Sequence, residues 1–230
     1  MELHRKDEQL QPTDLVGCRY RLVQRRRLPG IAPTPASQQR AERTEEARQD
    51  VFSLLPRDVA RVDVRPEHAE VDTLEGLVNE ASIITGAELT GPGWRAPIDA
   101  LVRHSDGTYT PVAVSNHRVA RPLAEGAKSA SALVVDTRNL GLAEPREANY
   151  KLRHHAVDSY RLALAARALN NLGVGSGFGA EIGQDREHAF LVRIADIMPI
   201  LDNALAQPTP DHPRRVKECR SCRYWFDCST

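Results

Sequence analysis

The sequence predicts an α/β protein in which helices surround a central mixed sheet, and three stretches carry that expectation. Residues 96–103 and 108–119 read as two strands joined by the tight turn Ser105-Asp106-Gly107, a β-hairpin. Residues 150–172 hold the broadest apolar helical face in the chain, through Leu152, Val157, Tyr160, Leu162, Leu164, Ala168, Leu169 and Leu172, with Gly173 as a stop. A strand at 189–194 then runs into a short helix at 195–205.

The remaining elements follow in chain order. Thr13-Asp14 precede the apolar positions Leu15, Val16, Tyr20, Leu22 and Val23, which predicts a capped helix over 12–28 with a basic exposed side, ended by Pro29-Gly30. Residues 33–37 read as a loop, and the charged, Ala-rich stretch 38–55, with Glu45, Glu46 and Arg48, as a helix. Residues 73–80 read as helix and 83–89 as the first strand, broken by Gly91-Pro92-Gly93. The Ala- and Ser-rich segment 123–147 receives no element, although Leu133-Val134-Val135 is apolar. Gly175-Ser176-Gly177-Phe178-Gly179 reads as a flexible turn. It lacks the lysine and the preceding strand of a phosphate-binding loop. Pro208, Pro210 and Pro213 make a rigid linker into the C-terminal tail.

Composition bounds the rest. With 230 residues, 41% of them hydrophobic, the chain builds one sizeable core, read as a single domain over 1–230. No run of about 18 apolar residues occurs, so no membrane span is expected. The charged start Met1-Glu2-Leu3-His4-Arg5-Lys6 lacks a signal-peptide core, which predicts a cytoplasmic protein. The 31 basic and 31 acidic residues balance, so overall charge gives no sign of nucleic acid. Their distribution does. Arg19, Arg21, Arg25, Arg26 and Arg27 form one cluster; Arg214, Arg215, Lys217, Arg220 and Arg223 form a second.

Four cysteines stand at the two ends: Cys18, then Cys219, Cys222 and Cys228 in a C-x2-C-x5-C tail. Two disulfides, four inert thiols and a metal centre are the available readings. Three closely spaced cysteines in a short polar tail have little core to join, which favours the metal centre. Spacing alone leaves zinc and an iron–sulfur cluster open. A ligand set split between the ends would bring residues 12–28 and 214–228 together. The two arginine clusters would then join into one surface for a phosphate backbone.

A cysteine after an N-terminal Pro12-Thr13-Asp14-Leu15, followed by C-x2-C-x5-C at the other end, resembles the iron–sulfur nucleases of the RecB family, including AddB-type helicase-nucleases and the iron–sulfur nucleases of CRISPR adaptation. The resemblance implies a restriction-endonuclease-type fold. It also implies a [4Fe–4S] cluster on Cys18, Cys219, Cys222 and Cys228 that staples the domain shut. The hairpin carries its second half. The wider PD-(D/E)xK superfamily places an Asp on one strand and an acid-x-Lys on the next, because residues two apart in a strand share a face. Those carboxylates hold Mg²⁺ or Mn²⁺, which activates water.

Here Pro97-Ile98-Asp99-Ala100-Leu101-Val102 is similar to the first of those strands, with Asp99 as the metal-binding carboxylate. On the second strand the acid position is Ala113 and the lysine position is Ser115, neither of which can do that work. Glu88 and His117 are the candidates for relocated ligands. Ala47 stands where the family has a helical His, with Glu45 and Glu46 nearby. Tyr160 matches a DNA-contacting Tyr, but Ala156 replaces the family's Gln, and His154 and His155 lie on the same helix.

The implied function is DNA processing or repair with weakened or lost nuclease catalysis. Its partners would be DNA, single-stranded or at duplex ends, and a helicase or recombination protein. Arg25, Arg26, Arg27, Tyr160, Arg214, Arg215 and Arg220 are the expected DNA contacts. Two alternatives stand beside it: an active Mg²⁺- or Mn²⁺-dependent exonuclease with relocated ligands, and a zinc-stapled protein-interaction module that never touches DNA.

Overall fold

A computed structural model of the chain describes residues 9–124 and 131–228. Its strands are β1 (Arg61–Asp63), β2 (Ile83–Thr85), β3 (Glu88–Gly91), β4 (Trp94–Pro97), β5 (Ala100–Arg103), β6 (Tyr109–Val114), β7 (Ala120–Pro122), β8 (Ala132–Asp136), β9 (Arg146–Ala148), β10 (Tyr150–Leu152), β11 (Phe178–Ile182) and β12 (His188–Arg193). Its helices are α1 (Tyr20–Arg27), α2 (Pro35–Leu54), α3 (Ala69–Val78), α4 (Ala156–Asn171), α5 (Ile194–Ala206) and the short α6 (Trp225–Cys228).

Among the described residues the main sheet runs β1-β2-β5-β6-β11-β12-β8-β9. β1 and β2 pair parallel, as do β6 and β11, and the other neighbours pair antiparallel, so the sheet is mixed. Period-two alternation sorts its faces. Leu101 of β5 and Tyr109 and Ala113 of β6 pack with Leu162, Ala165, Ala166 and Leu169 of α4 and Ile197 and Leu201 of α5. Ala100, Val102, Val112 and Val114 turn the other way, onto Ala47 and Val51 of α2. The expected α/β class with helices around a mixed sheet is therefore present.

Several expected elements divide. The N-terminal helix 12–28 is two pieces. Pro12–Leu15 forms a 3-10 turn, in which Asp14 accepts the Gln11 N–H at 2.8 Å. Gly17 then takes φ +71, a left-handed conformation that stops helix propagation before α1. α2 begins earlier than expected, because Thr34 accepts the Ser37 N–H and Pro35 suits the first helical turn.

The expected strands 83–89 and 96–103 each split in two. Gly86, at φ +68, swings the chain out of the sheet, and β3 and β4 form a separate two-stranded ribbon. The chain re-enters at Ile98-Asp99, where the Ile98 N–H donates to Ala87 O and the Gly86 N–H to Asp99 O, both at 2.8 Å. The β5–β6 hairpin forms as expected, with Asp106 accepting the Thr108 N–H in its turn. Its second strand ends at Val114 rather than residue 119.

The expected helix 150–172 starts only at Ala156. Tyr150–Leu152 is instead a strand paired antiparallel with β7, its tyrosine edge-on to the Phe190 ring at 5.1 Å. The segment left without an element holds β8 and β9. The Gly-rich turn leads straight into β11, a central strand that the sequence reading did not assign.

Candidate functional site

Two sites matter. The first joins the chain ends. Gly17 turns the backbone so that Cys18 faces the C-terminal tail; a Cβ on Gly17 would lie 3.5 Å from the Glu218 side chain. Arg19 donates to the carbonyls of Ala204 at 2.6 Å and Gln207 at 2.8 Å, tying the segment to the C-terminal end of α5. Gln24 of α1 reaches the Cys228 sulfur at 3.1 Å.

All four cysteines are partly buried and line one cavity of about 750 Å³. The Cys18 thiol titrates above its ordinary range. Burial is the main cause, backbone N–H groups of Arg21 and Tyr20 oppose it, and the neighbouring Cys219 and Cys222 add to it. Arg21, Arg25, Arg40, Arg214, Arg215 and Arg223 wall the same cavity, against the acids Asp14 and Glu218. Among the described residues, no three His, Cys, Asp or Glu side chains stand close enough to hold a single metal ion.

The expected DNA contacts divide by environment. Arg26, Arg27, Arg214, Arg215 and Arg220 are exposed. Arg25 is not an open surface group: it pairs with the buried Asp14 at 2.7 Å and donates to Gln9 O at 2.8 Å. Arg215 lies over the Trp225 ring at 5.6 Å. Tyr160 is half-buried on α4 and lines an apolar groove with Ile197 and Ile200 of α5, apart from the residues around Asp99.

The second site is a cleft of about 660 Å³ between α2, the β3–β4 ribbon and the start of β5, and Asp99 lies on its wall. Asp99 is 1% exposed. Its Oδ1 accepts from Arg48 Nε at 2.5 Å and from Arg161 Nη2 at 2.8 Å; its Oδ2 accepts from the Val114 N–H at 2.6 Å. Burial alone would raise its pKa. The charges of Arg161 and Arg48, with these hydrogen bonds, outweigh burial and hold it below the usual carboxylate range. Arg161 reaches further, donating to Pro97 O at 3.2 Å and standing 3.6 Å from Asp158.

The other candidates are only partly brought to Asp99. Glu88 lines the same cleft and pairs with Arg95 at 2.7 Å. His117 lies beyond the end of β6 and outside the cleft, stacked on His155 with ring centroids 4.3 Å apart. Burial, followed by the charge of His117, lowers the His155 pKa. Ala113 and Ser115 are buried, and the Ser115 hydroxyl accepts the His117 N–H at 3.3 Å. Ala47 packs into the core under α2, while Glu45 binds Arg48 at 3.0 Å.

Sequence reasoning missed Arg161, Asp158 and Glu181. Glu181 of β11 sits in register with Ala113 and is 1% exposed, with an Oε1 that finds no hydrogen-bond partner among the described residues. Burial, helped by Asp158, pushes its pKa up to about 8. The available signal was the alternation Phe178, Ala180, Ile182, which marks a strand and puts the charged Glu181 on its other face.

Fold and site together define an α/β protein with a buried, arginine-clasped aspartate and a cysteine-lined cavity between its ends. No family model and no curated protein matches the chain. Among solved structures it is similar to one described as "Crystal structure of SSO0001", at 14% identity and a TM-score of 0.47, over 98% of this chain and 87% of that one.

Proposed function

We propose that this chain is a DNA-processing protein of the RecB-like iron–sulfur type, which binds DNA and has weakened or lost nuclease catalysis. One observation carries the reading: cysteines from opposite ends of the chain line one arginine-walled cavity. A [4Fe–4S] cluster suits that donor set. Four thiolates on one zinc ion would sit about 3.8 Å apart, as Zn–S bonds of 2.3 Å require. A cluster spreads its cysteines over separate irons. Six arginines against two acids also offset the negative charge of a tetrathiolate cluster. When bound, the cluster supplies a covalent staple; Cys18, Cys219, Cys222 and Cys228 hold it.

The exposed Arg26, Arg27, Arg214, Arg215 and Arg220 stand on both segments that border this cavity and form the phosphate-binding surface. Mg²⁺ does not fit the Asp99 site. Two guanidinium groups already neutralise Asp99, Ala113 offers no ligand atom and Ser115 offers no charge. Loss of a single electrostatic element of this kind costs about 10²–10³ in rate.

Anaerobic purification followed by iron, sulfide and zinc analysis tests the reading. Four irons and four sulfides per chain are expected, with binding to single strands or duplex ends and no cleavage in Mg²⁺ or Mn²⁺. Stoichiometric zinc without iron or sulfide would sink the cluster. Cleavage lost in Asp99→Ala would sink the loss of catalysis.

A further inference from the structure

Helix α3 carries its larger apolar residues on the side away from the core. The face that packs on the sheet is made of Ala69, Asp72, Thr73 and Gly76, all buried, with Leu77 half-buried at its edge. Close packing keeps that face small and polar. A Cβ on Gly76 would lie 2.8 Å from the Ile84 side chain of β2, and Thr73 accepts the Glu88 N–H of β3 at 3.0 Å. The opposite face holds Val71, Leu74 and Val78, exposed by 55%, 42% and 81%. A surface helix ordinarily shows the reverse pattern, apolar inside and polar outside. Single exposed apolar residues need no explanation. Here three of the seven large exposed apolar side chains among the described residues stand together on one ten-residue helix, and such a cluster marks an interaction site.

Spacing and charge define what fits it. Val71, Leu74 and Val78 follow one another at intervals of three and four, the seam by which one helix packs along another. Glu70 and Glu75 flank that seam, and Glu67 is exposed in the turn just before the helix. α3 contains no Lys or Arg. The neighbouring Arg65 is paired with Asp72 at 2.7 Å, and Glu70 accepts the Thr90 hydroxyl. We propose that the outer face of α3 docks a basic amphipathic helix of a partner protein, apolar along its seam and with Lys or Arg beside it. A second copy of this chain is the wrong occupant. Pairing α3 with itself, parallel or antiparallel, sets Glu70 and Glu75 against the same acids of the other copy, and like charges facing each other across an interface oppose binding. The inference stands on α3 alone and holds whichever metal the cysteines bind.

The probe is a synthetic helical peptide of about three heptads, with leucine along its seam and lysine at the flanking positions. Its control has the same seam with glutamate in place of lysine. Each is titrated into the full chain, with amide chemical shifts as the readout. The lysine peptide should move the amides of Val71, Leu74 and Val78 and bind about tenfold or more tighter than the control. Val71→Gln/Val78→Gln, at the two most exposed of these positions, should keep the melting temperature and weaken the lysine peptide about tenfold. Glu75→Lys, an independent change at an exposed site, should narrow the gap between the two peptides. A lysine peptide that does not bind, that moves other amides instead, or that binds Val71→Gln/Val78→Gln as tightly as the wild type overturns the proposal. Equal binding of both peptides overturns it as well, because the acids then select nothing. Sedimentation of the wild type as a dimer that the double variant dissolves would assign this face to a second copy and overturn it too.

Discussion

Glu181 is the residue at which burial and charge conflict most plainly. A carboxyl with 1% exposure, beside Asp158 and with one oxygen unbonded among the described residues, is held as the neutral acid up to about pH 8. The unfolded chain releases that proton near pH 4.3 or so. Between those values the folded state binds more protons than the unfolded state, so stability falls as pH rises. The Glu181 contribution is complete below the lower value and is lost through the upper one. Glu181→Gln cannot ionise. Urea melts from pH 5 to 9 should therefore show the variant gaining on the wild type by on the order of a few kcal/mol, most of it by pH 8–9. Parallel pH profiles for the two proteins would mean that Glu181 is ionised when folded. Asp99 runs in the opposite sense. Its pKa is depressed, so its contribution is lost only as pH falls below the usual carboxylate range.

At the level of elements, α1 shows why an arginine cluster is not one surface. Arg25, Arg26 and Arg27 all lie in its last turn, where cations suit the helix dipole. Arg25 faces inward onto buried Asp14, while Arg26 and Arg27 face out. Reversing all three, the natural experiment from sequence, would place two carboxylates together at Asp14. Arg26→Glu/Arg27→Glu should keep the fold. It should weaken binding to every DNA sequence alike and lower the slope of log K against log salt by about 2. Fluorescence anisotropy across a salt series measures this. An unchanged slope would remove α1 from the proposed DNA surface. Adding Arg25→Glu should cost the melting transition as well, through loss of the buried pair.

Across the whole molecule, the proposed cluster bears most on the C-terminal tail. Among the described residues from 208 onward, Tyr224 alone is a buried apolar side chain, and Phe226 is 81% exposed. So little apolar burial does not hold some twenty residues in place against their chain entropy. The proposed cluster supplies what the core lacks, since metal binding and ordering are coupled. Cys18→Ser lies outside the tail in sequence, yet it should empty the centre of iron. It should also raise amide exchange throughout 214–228 and in α1, while β5, β6 and α4 stay protected. Tail exchange equal to that of the wild type would show that protein contacts alone close the molecule.

The class of fold was legible because alternation and helical periodicity are local properties, written in neighbouring residues such as Leu101, Val102, Val112 and Ala113. The four cysteines were legible as one set from their spacing, and all four line one cavity. Boundaries were less so. A left-handed Gly17 or Gly86 cuts an apolar run that no periodicity count divides, and Tyr150–Leu152 joins a strand only because β7 offers its edge. The clasp on Asp99 was not legible at all. Arg48 comes from α2 and Arg161 from α4, on opposite faces of the sheet, 51 and 62 positions from Asp99 in the chain. Their meeting depends on how two helices pack across β6. Sequence spacing shows which side chains share a face, but whether a carboxylate meets an ion or a guanidinium is settled by long-range packing.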